Sequence, residues 1–299
     1  MATGLHGSAT APVRVACIQM EPCIGQPAEN LALSLQLCAE ASREGAELLV
    51  LPELCTSGYM FESRQEAWKA AESLPNGPAC TEWAAFCRDS GVYLVAGIAE
   101  RDGDRLFNSC VVLGPEGYIG TYRKVHLWNR ENLFFEPGDL GFPVFHTPIG
   151  RLAAFICYDG WFPEAYRACA LQGADVICVP TNWVPIPGQA EGSPAMATIL
   201  AQANAHSNSV FIVAADRVGL ERGQIFNGQS VIVSHTGWPV AGPASADRQE
   251  ILYADLDLGL ARLSRNWNDF NNPVRDRRPN AYDPHTRESG AVDARHEKY

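Results

Sequence analysis

The 299-residue chain has no long apolar run, no excess of basic residues and no C-x-x-C pair. A membrane-spanning helix needs about 20 consecutive apolar residues, so no contact with a membrane is predicted. The net charge of -11 argues against a nucleic-acid partner, because a nucleic-acid-binding surface is basic. Neither a P-loop nor a G-x-G-x-x-G nucleotide motif occurs.

The ten cysteines and seven histidines show no pattern typical of disulfides or metal sites. Most cysteines lie within apolar segments, as Cys17, Cys110 and Cys178 do, which favours reduced thiols that pack as small hydrophobic groups. The histidines have no ligand spacing with acidic residues or cysteines on one helix, so a zinc hydrolase is disfavoured. The first residues lack the basic start and apolar stretch of a secretory signal. We therefore expect a cytoplasmic protein without a metal, and a flexible leader at residues 1–12.

From Val13 onward, short β-rich runs alternate with helical stretches, which is typical of an α/β protein. The pattern predicts strands at Val13–Met20, Glu47–Leu51 and Val92–Ile98, a helix at Pro27–Gly45, and a hairpin of Leu106–Leu113 with Tyr118–Val125.

The second half of the chain repeats the order of the first. The segment Gly45–Pro52, GAELLVLP, resembles Gly173–Pro180, GADVICVP, and the strands before and after these segments also match. Such uniformly apolar strands predict two sheets packed face to face with helices outside. We expect one domain of two similar halves at residues 13–265, followed by an extended tail at 266–299.

Cys157 lies between the apolar strand Leu152–Ile156 and a helix-like segment. Active sites of α/β proteins gather at the carboxyl ends of strands. A thiol at the start of a helix is predicted to have a lowered pKa and to act as a nucleophile. Thr181–Trp183 follow another apolar strand and are expected at the same edge.

Glu53 and Lys124 are also expected at strand ends. Glu53 is a candidate base for the thiol proton, although a surface glutamate explains it equally well when it is taken alone. Lys124 is a candidate for stabilising a thiolate and an oxyanion, or a solvated edge-strand lysine. His126 permits a Cys–His pair, but Glu53 already offers a base, so a structural role is preferred for the histidine.

Four segments together resemble the nitrilase, or carbon–nitrogen hydrolase, superfamily over about Val13 to Leu258. They are Pro52-Glu53, Tyr122–His126 (YRKVH), Phe134–Asp139 (FFEPGD) and Cys157–Glu164 (CYDGWFPE). The resemblance implies an α/β fold in the form of a four-layer α-β-β-α sandwich with two pseudo-repeated halves. It also implies association across helices into a homodimer or a higher homo-oligomer.

The resemblance further implies a role for each candidate. Glu53 would be the general base, Lys124 the electrostatic stabiliser and Cys157 the nucleophile, without any cofactor. Glu131 matches the spacing of a second glutamate that positions substrate and lysine in the family; a surface charge beside Arg130 is the alternative.

The residues after Cys157 distinguish between branches of the superfamily. Tyr158–Glu164 is more similar to amidases and N-carbamoyl-amine hydrolases than to true nitrilases, in which Trp-Glu usually follows the cysteine. We expect cleavage of a small carboxamide or ureido compound through a thioester, with release of ammonia. Nitrile hydrolysis is the alternative, and a catalytically silent binding scaffold is disfavoured because the triad is complete.

Neighbouring residues are predicted to line a partly apolar substrate pocket. They are Tyr59, Trp128, Tyr158, Trp161, Asn182 and Trp183, although core packing or a dimer contact explains each tryptophan equally well. No arginine pair stands out for a substrate carboxylate. Arg217 and Arg222 are candidates, but a surface position explains each of them equally well. A neutral or cationic substrate is therefore favoured. The tail is expected to cross to a neighbouring subunit or to be disordered.

Overall fold

The computed structural model of the protein describes residues 11–188 and 193–286. The first half contains β1 (Val13–Gln19), α1 (Pro27–Arg43), β2 (Leu48–Val50), α2 (Arg64–Ala70), α3 (Pro78–Ser90), β3 (Tyr93–Asp102), β4 (Arg105–Gly114) and β5 (Gly117–Arg123). Helices α1 and α3 both begin at proline, which suits the first helical turn because its N–H groups have no intrahelical partner.

The second half contains the remaining strands and helices. In chain order these are β6 (Val144–Thr147), β7 (Gly150–Ala154), α4 (Pro163–Leu171), β8 (Val176–Pro180), α5 (Met196–Asn208), β9 (Phe211–Ala215), β10 (Leu220–Glu221), β11 (Gln224–Ile225), β12 (Val231–Val233), β13 (Pro239–Ala241), β14 (Glu250–Leu256), α6 (Gly259–Leu263) and α7 (Pro279–Thr286). Two 3-10 helices, Asn129–Leu133 and Cys157–Trp161, complete the list. The chain divides after Ser264 into two compact units, and α7 belongs to the second.

Two six-stranded sheets have matching topology. Their strand orders are β14-β1-β2-β3-β4-β5 and β13-β12-β9-β8-β7-β6. In each, three central parallel strands are flanked by antiparallel ones. Gly45 and Gly173 precede the second central strands with φ of +84° and +90°, a conformation that glycine adopts without a steric cost. The predicted duplication within one fold is confirmed.

The sheets pack face to face, and helices cover their outer faces. One buried apolar cluster joins residues of both sheets, such as Val50 and Ile177, and continues to Ala165 of α4 and Ala201 of α5. A second cluster lies between the first sheet and helices α1 and α3, where Trp83 is fully buried. This arrangement is the predicted α-β-β-α sandwich, stabilised mainly by apolar burial on both faces of each sheet.

The predicted elements differ from the observed ones mainly at their ends. Strand β3 continues to Asp102, four residues beyond its predicted end at Ile98, because it pairs with β4 along its whole length. Strand β5 ends at Arg123, so Lys124 follows it directly. Within the described residues, none of the helices combines the length and apolar character needed to cross a bilayer. The leader falls mostly outside the described residues, as does the end of the tail.

Candidate active site

Each candidate residue follows the carboxyl end of a strand. Glu53 comes after β2, Lys124 after β5, and Cys157 after β7. Gly97 of β3 makes the position of Glu53 possible, because a Cβ at residue 97 would lie 2.5 Å from the Cα of Glu53. The sheet edge predicted from the sequence is therefore where the structure places these groups.

A buried lysine joins two buried glutamates. The Nζ of Lys124 donates to Oε1 of Glu53 at 2.6 Å and to Oε1 of Glu131 at 2.7 Å. The side chain of Asn108, on β4, also donates to Oε1 of Glu53, at 2.6 Å. All four residues are buried. The alternatives of a surface glutamate at residue 53, a solvated lysine and a surface charge at Glu131 are therefore wrong.

Sequence reasoning missed Asn108. The available signal was its place as a polar residue within the otherwise apolar run Leu106–Leu113. Asn108 and Lys124 both donate to Oε1 of Glu53. The other carboxylate oxygen, Oε2, is buried and has no hydrogen-bond partner among the described residues. An unpaired buried oxygen of this kind is costly, and it is available to a substrate or a thiol.

Glu131 is held by the 3-10 helix that carries it. Its backbone N–H donates to the carbonyl of Trp128 at 3.0 Å, and its Oε2 accepts from the N–H of Trp128 at 3.3 Å. The hydroxyl of Tyr59 donates to Oε1 of Glu131 at 2.5 Å. Burial and the charge of Glu131 raise the pKa of Tyr59 well above its ordinary value, so this hydroxyl stays protonated and remains a donor.

The electrostatics of the cluster favour proton transfer near neutral pH. Burial raises the pKa of Glu53 to about 7, against the lowering effect of Lys124 and with a further increase from Glu131. Burial alone would lower the pKa of Lys124, but the charges of Glu131 and Glu53 raise it above its ordinary value. The lysine therefore stays charged, while Glu53 exchanges a proton in the neutral range.

Cys157 occupies a strained turn at the mouth of the same site. Its φ is +48°, and a left-handed backbone costs a non-glycine residue about 1–2 kcal/mol. The residue is 6% exposed. Burial and the charge of Glu53 raise the pKa of its thiol well above the ordinary value, although Lys124 acts in the opposite direction. The prediction of a lowered thiol pKa is therefore wrong, because burial and two carboxylates outweigh one ammonium and the helix start.

A small cavity lies beside Cys157. Its other lining residues are Trp128, Tyr158, Trp161, Asn182, Trp183, Val184 and Ile186. Five of the six predicted pocket residues thus lie together. The sixth, Tyr59, lines an adjoining cavity with Trp128 and Glu131. The side-chain amide of Asn182 donates to the backbone carbonyl of Glu53 at 3.0 Å, which fixes the wall of the cavity to the cluster.

The two arginines considered for a substrate carboxylate have other partners. Arg217 is buried and its NH1 is 2.5 Å from Oε1 of Glu221. The carboxylate of Glu221 in turn accepts from the backbone N–H of Tyr59 at 2.8 Å. Arg222 pairs with Glu66 at 2.6 Å. Neither guanidinium lines the cavity beside Cys157.

His126 contacts Asp159 rather than Cys157. Its Nδ1 lies 2.7 Å from Oδ1 of Asp159, and its ring stacks on Phe162 with ring centres 3.6 Å apart. These contacts agree with the preferred structural role. In the described parts of the chain, no group of three or more His, Cys, Asp or Glu residues is arranged to hold a metal ion, and all ten cysteines are free thiols.

A sandwich of two similar halves, with a cysteine beside a Glu–Lys–Glu cluster, defines a class of hydrolytic enzymes. The sequence model described as carbon-nitrogen hydrolase matches residues 14–266. A nitrilase from Pyrococcus abyssi is 46% identical over 270 residues, covering 90% of this chain and 99% of that protein. N-carbamoylputrescine amidase from Arabidopsis thaliana is 32% identical over 275 residues, covering 87% and 91%.

A solved structure with the same fold has an active-site cysteine. It is a glutamate-to-glutamine variant of the amidase from Nesterenkonia sp. AN1, with the acetamide moiety of fluoroacetamide added covalently at that cysteine. It is 25% identical, with a TM-score of 0.76, over 95% of this chain and 100% of that one. The protein described here belongs to the carbon-nitrogen hydrolase family of the nitrilase superfamily.

Proposed function

We propose that this enzyme cleaves the terminal carbon–nitrogen bond of a small carboxamide or N-carbamoyl amine through a thioester on Cys157. The observation that carries the proposal is the buried cluster of Glu53, Lys124 and Glu131, whose charges act on Cys157 at the mouth of an apolar cavity. It combines a nucleophile, a base and a cation at one sheet edge.

The first half-reaction forms the acyl-enzyme. Glu53 takes the proton from the Cys157 thiol, and the sulfur attacks the carbonyl carbon of the substrate. Glu53 then gives this proton to the leaving nitrogen, the C–N bond breaks and ammonia departs. A thiol with a raised pKa needs such a base, and a carboxyl group with a pKa of about 7 both accepts and returns a proton near neutral pH.

Two donors are placed to stabilise the oxyanion of this step. The ammonium of Lys124 has three N–H groups, and two are used by Glu53 and Glu131, which leaves one for the substrate oxygen. The backbone N–H of Tyr158, in the first turn of the 3-10 helix at Cys157, has no intrahelical partner. We assign Glu131 the role of orienting Lys124.

The second half-reaction releases the product. Glu53 takes a proton from water, the hydroxide attacks the thioester carbonyl and the C–S bond breaks. The thiolate then regains its proton from Glu53. An amide yields a carboxylic acid, whereas an N-carbamoyl amine yields a carbamic acid that decomposes to the amine and carbon dioxide. No step requires a cofactor.

The cavity lining supports a small substrate that is neutral or cationic. Rings of Trp128, Tyr158, Trp161 and Trp183 dominate the described wall, with Asn182 as a polar contact. Aromatic faces bind apolar groups and cations. Both candidate arginines have other partners, so a substrate carboxylate would lack a matched cation from either of them.

Nitrile hydrolysis is the second candidate, favoured by the 46% identity with the Pyrococcus abyssi nitrilase. Attack of the thiolate on the nitrile carbon, with protonation of the nitrogen, would give a thioimidate. Addition of water and loss of ammonia would convert it to the same thioester. The same three residues serve both routes.

The test is ammonia release from butyramide, N-carbamoylpropylamine and butyronitrile, with intact-mass detection of the adduct. We expect turnover of one of the first two and a mass increase that Cys157→Ala abolishes. Cys23 is exposed and offers a control: Cys23→Ala should keep both the ammonia release and the mass increase. Equal turnover in Cys157→Ala would overturn the mechanism, whereas turnover of butyronitrile alone would replace the substrate class and retain the nucleophile.

Assembly and location stay predictions. Exposed apolar residues on α4 and α5, namely Leu171, Met196 and Ile199, support association of copies across helices. We propose a homodimer or a larger homo-oligomer, which light scattering would test. A monomer at micromolar concentration would contradict this. Ten free cysteines fit a reducing compartment such as the cytoplasm.

A further inference from the structure

One buried carboxylate joins the Lys124 segment to the Cys157 turn. Oδ2 of Asp159 accepts from the hydroxyl of Tyr122 at 2.6 Å and from the backbone N–H of Ile156 at 3.0 Å. Oδ1 accepts from the backbone N–H of His126 at 2.9 Å and lies 2.7 Å from its Nδ1. Asp159 is fully buried, whereas the side chain of His126 is 29% exposed.

The hydrogen bonds of Asp159 reach both sides of Lys124 and both sides of Cys157 in the sequence. Tyr122 and His126 lie two residues before and two residues after Lys124. On the other side, Ile156 and Asp159 itself bracket Cys157. A shift of either segment would therefore break hydrogen bonds to the same carboxylate.

The Cys157 turn depends on this carboxylate for its conformation. The residue has a φ of +48°, and strained backbone at functional sites persists only where the surroundings hold it. Asp159 closes the turn in both directions, because its N–H donates to the carbonyl of Ile156 at 3.0 Å while its side chain accepts the N–H of the same residue.

The donors on the lysine side are locked. Burial and the charge of Asp159 raise the pKa of Tyr122 well above its ordinary value, so its hydroxyl remains a donor. The ring of His126 stacks on Phe162 at 3.6 Å and faces Phe142 at 6.4 Å. These stacked rings hold the His126 side chain in the orientation in which its Nδ1 contacts Asp159.

We propose that Asp159 is a positioning residue that fixes the Lys124 ammonium relative to the Cys157 thiol. It touches neither the reacting atoms nor the substrate, and it acts through the two segments that it joins. This inference rests on the proposed function of Lys124 and Cys157. The proposal gives a role to the third residue of the segment Cys157–Glu164 (CYDGWFPE), which the proposed mechanism does not use.

The test compares two buried aspartates of the second half of the chain. Asp159→Asn keeps the shape of the side chain but removes its charge and places an amide N–H₂ against two of the groups that contact the carboxylate. The matched control is Asp175→Asn, because Asp175 is also buried and accepts from Arg151 N–H and from Arg262 Nε at 2.9 and 2.7 Å, away from the cluster. Three quantities are measured: the thermal midpoint, kcat, and the pH profile of Cys157 alkylation by iodoacetamide in a Cys23→Ser background.

We expect Asp159→Asn to lower kcat by about 20–100-fold, since misplacement of about 1 Å has an effect of that size. Its alkylation profile should shift to higher pH, because the Lys124 ammonium lowers the pKa of the Cys157 thiol and would lie farther from the sulfur. Asp175→Asn should keep kcat within about twofold and leave the profile unchanged, whatever its effect on the thermal midpoint. Equal losses in both variants, or an unshifted profile in Asp159→Asn, would overturn the proposal.

Tyr122→Phe keeps the test decisive if Asp159→Asn does not fold. It removes the hydroxyl that donates to Asp159 and accepts from the backbone N–H of Val125 at 3.1 Å. We expect a shift in the same direction with a smaller loss of kcat, about three- to tenfold. Unchanged kcat and profile would contradict the proposal. The alkylation measurement needs no turnover, so it gives a result even if the proposed reaction is wrong.

Discussion

Two adjacent cations at the end of β5 have opposite surroundings. Arg123 donates to Glu100 at 3.0 Å, to Asp139 at 2.9 Å and to Asp102 at 2.9 Å, and Asp102 and Asp139 lie near solvent. Lys124, one residue later, donates to two carboxylates that are buried with it. Both clusters contain more negative than positive groups, so the sign of the charge does not distinguish them.

The difference lies in how each carboxylate responds to its cation. Hydrogen bonds from Arg123, and also from Arg105, hold the pKa values of Asp102 and Asp139 below their ordinary range. Burial overcomes the same attraction at Glu53 and raises its pKa to about 7. The two carboxylates near solvent thus keep their charges, whereas burial of Glu53 leaves its proton mobile at neutral pH.

Glu53→Gln is the most disruptive test of the difference between the Lys124 and Arg123 clusters. Removing the base should lower kcat by about 10²–10⁴-fold. Stability should change in the opposite direction. The pKa of Glu53 is raised from 4.5 to about 7 in the folded protein, so the folded state holds a proton that the unfolded state releases in this range. Its contribution to stability is therefore lost as pH rises through 4.5 to 7.

Calorimetry at pH 8 and turnover assays check both parts of that prediction. The variant should have a thermal midpoint equal to or above that of the natural sequence at pH 8. A large drop in the midpoint would mean that the Glu53 charge stabilises the fold, contrary to the raised pKa.

Replacing each cation by methionine separates stability from activity. Lys124→Met leaves two buried carboxylates without their cation and should lower the free energy of unfolding by about 3–5 kcal/mol, with loss of measurable turnover. Arg123→Met leaves the buried carboxylate of Glu100 without its cation and should also cost about 3–5 kcal/mol, but turnover should be retained. Urea unfolding and ammonia release measure the two effects. Equal losses of turnover would remove the distinction between the clusters.

Gly97→Ala tests whether the approach of β3 positions Glu53. The added Cβ would lie 2.4 Å from the carbonyl oxygen of Pro52, so the segment must shift, and kcat should fall by about 10–100-fold. Gly103→Ala is the control, since its φ of +62° strains a turn while its Cβ meets no atom within 4 Å. It should lower stability and leave kcat within about twofold.

The mildest test changes only pH. Because the proposed base Glu53 acts only when deprotonated and its pKa is raised to about 7, kcat/KM should fall about tenfold per pH unit below that pH. The exposed carboxylates around Arg123 have lowered pKa values and should not contribute in this range. A profile flat down to pH 5 would assign the proton transfer to another group.

The alternating pattern and the repeated GAELLVLP and GADVICVP segments were sufficient to predict the fold, because strand ends and apolar runs are local properties. They also placed Glu53 and Cys157 at one edge. The thiol pKa was predicted in the wrong direction, since burial and the number of nearby carboxylates depend on contacts between distant segments. Asn108 escaped prediction for the same reason: its partner, Glu53, is 55 residues away.

The hydrogen bond from Asn182 to the Glu53 carbonyl has a consequence for the duplicated architecture. The first half supplies the proton-transfer cluster, and the second supplies Cys157 and most of the cavity wall. Neither half holds all of the proposed catalytic groups, so the proposed reaction depends on docking of one half against the other. Ammonia release from two separately produced fragments would therefore serve as a direct assay for their reassembly.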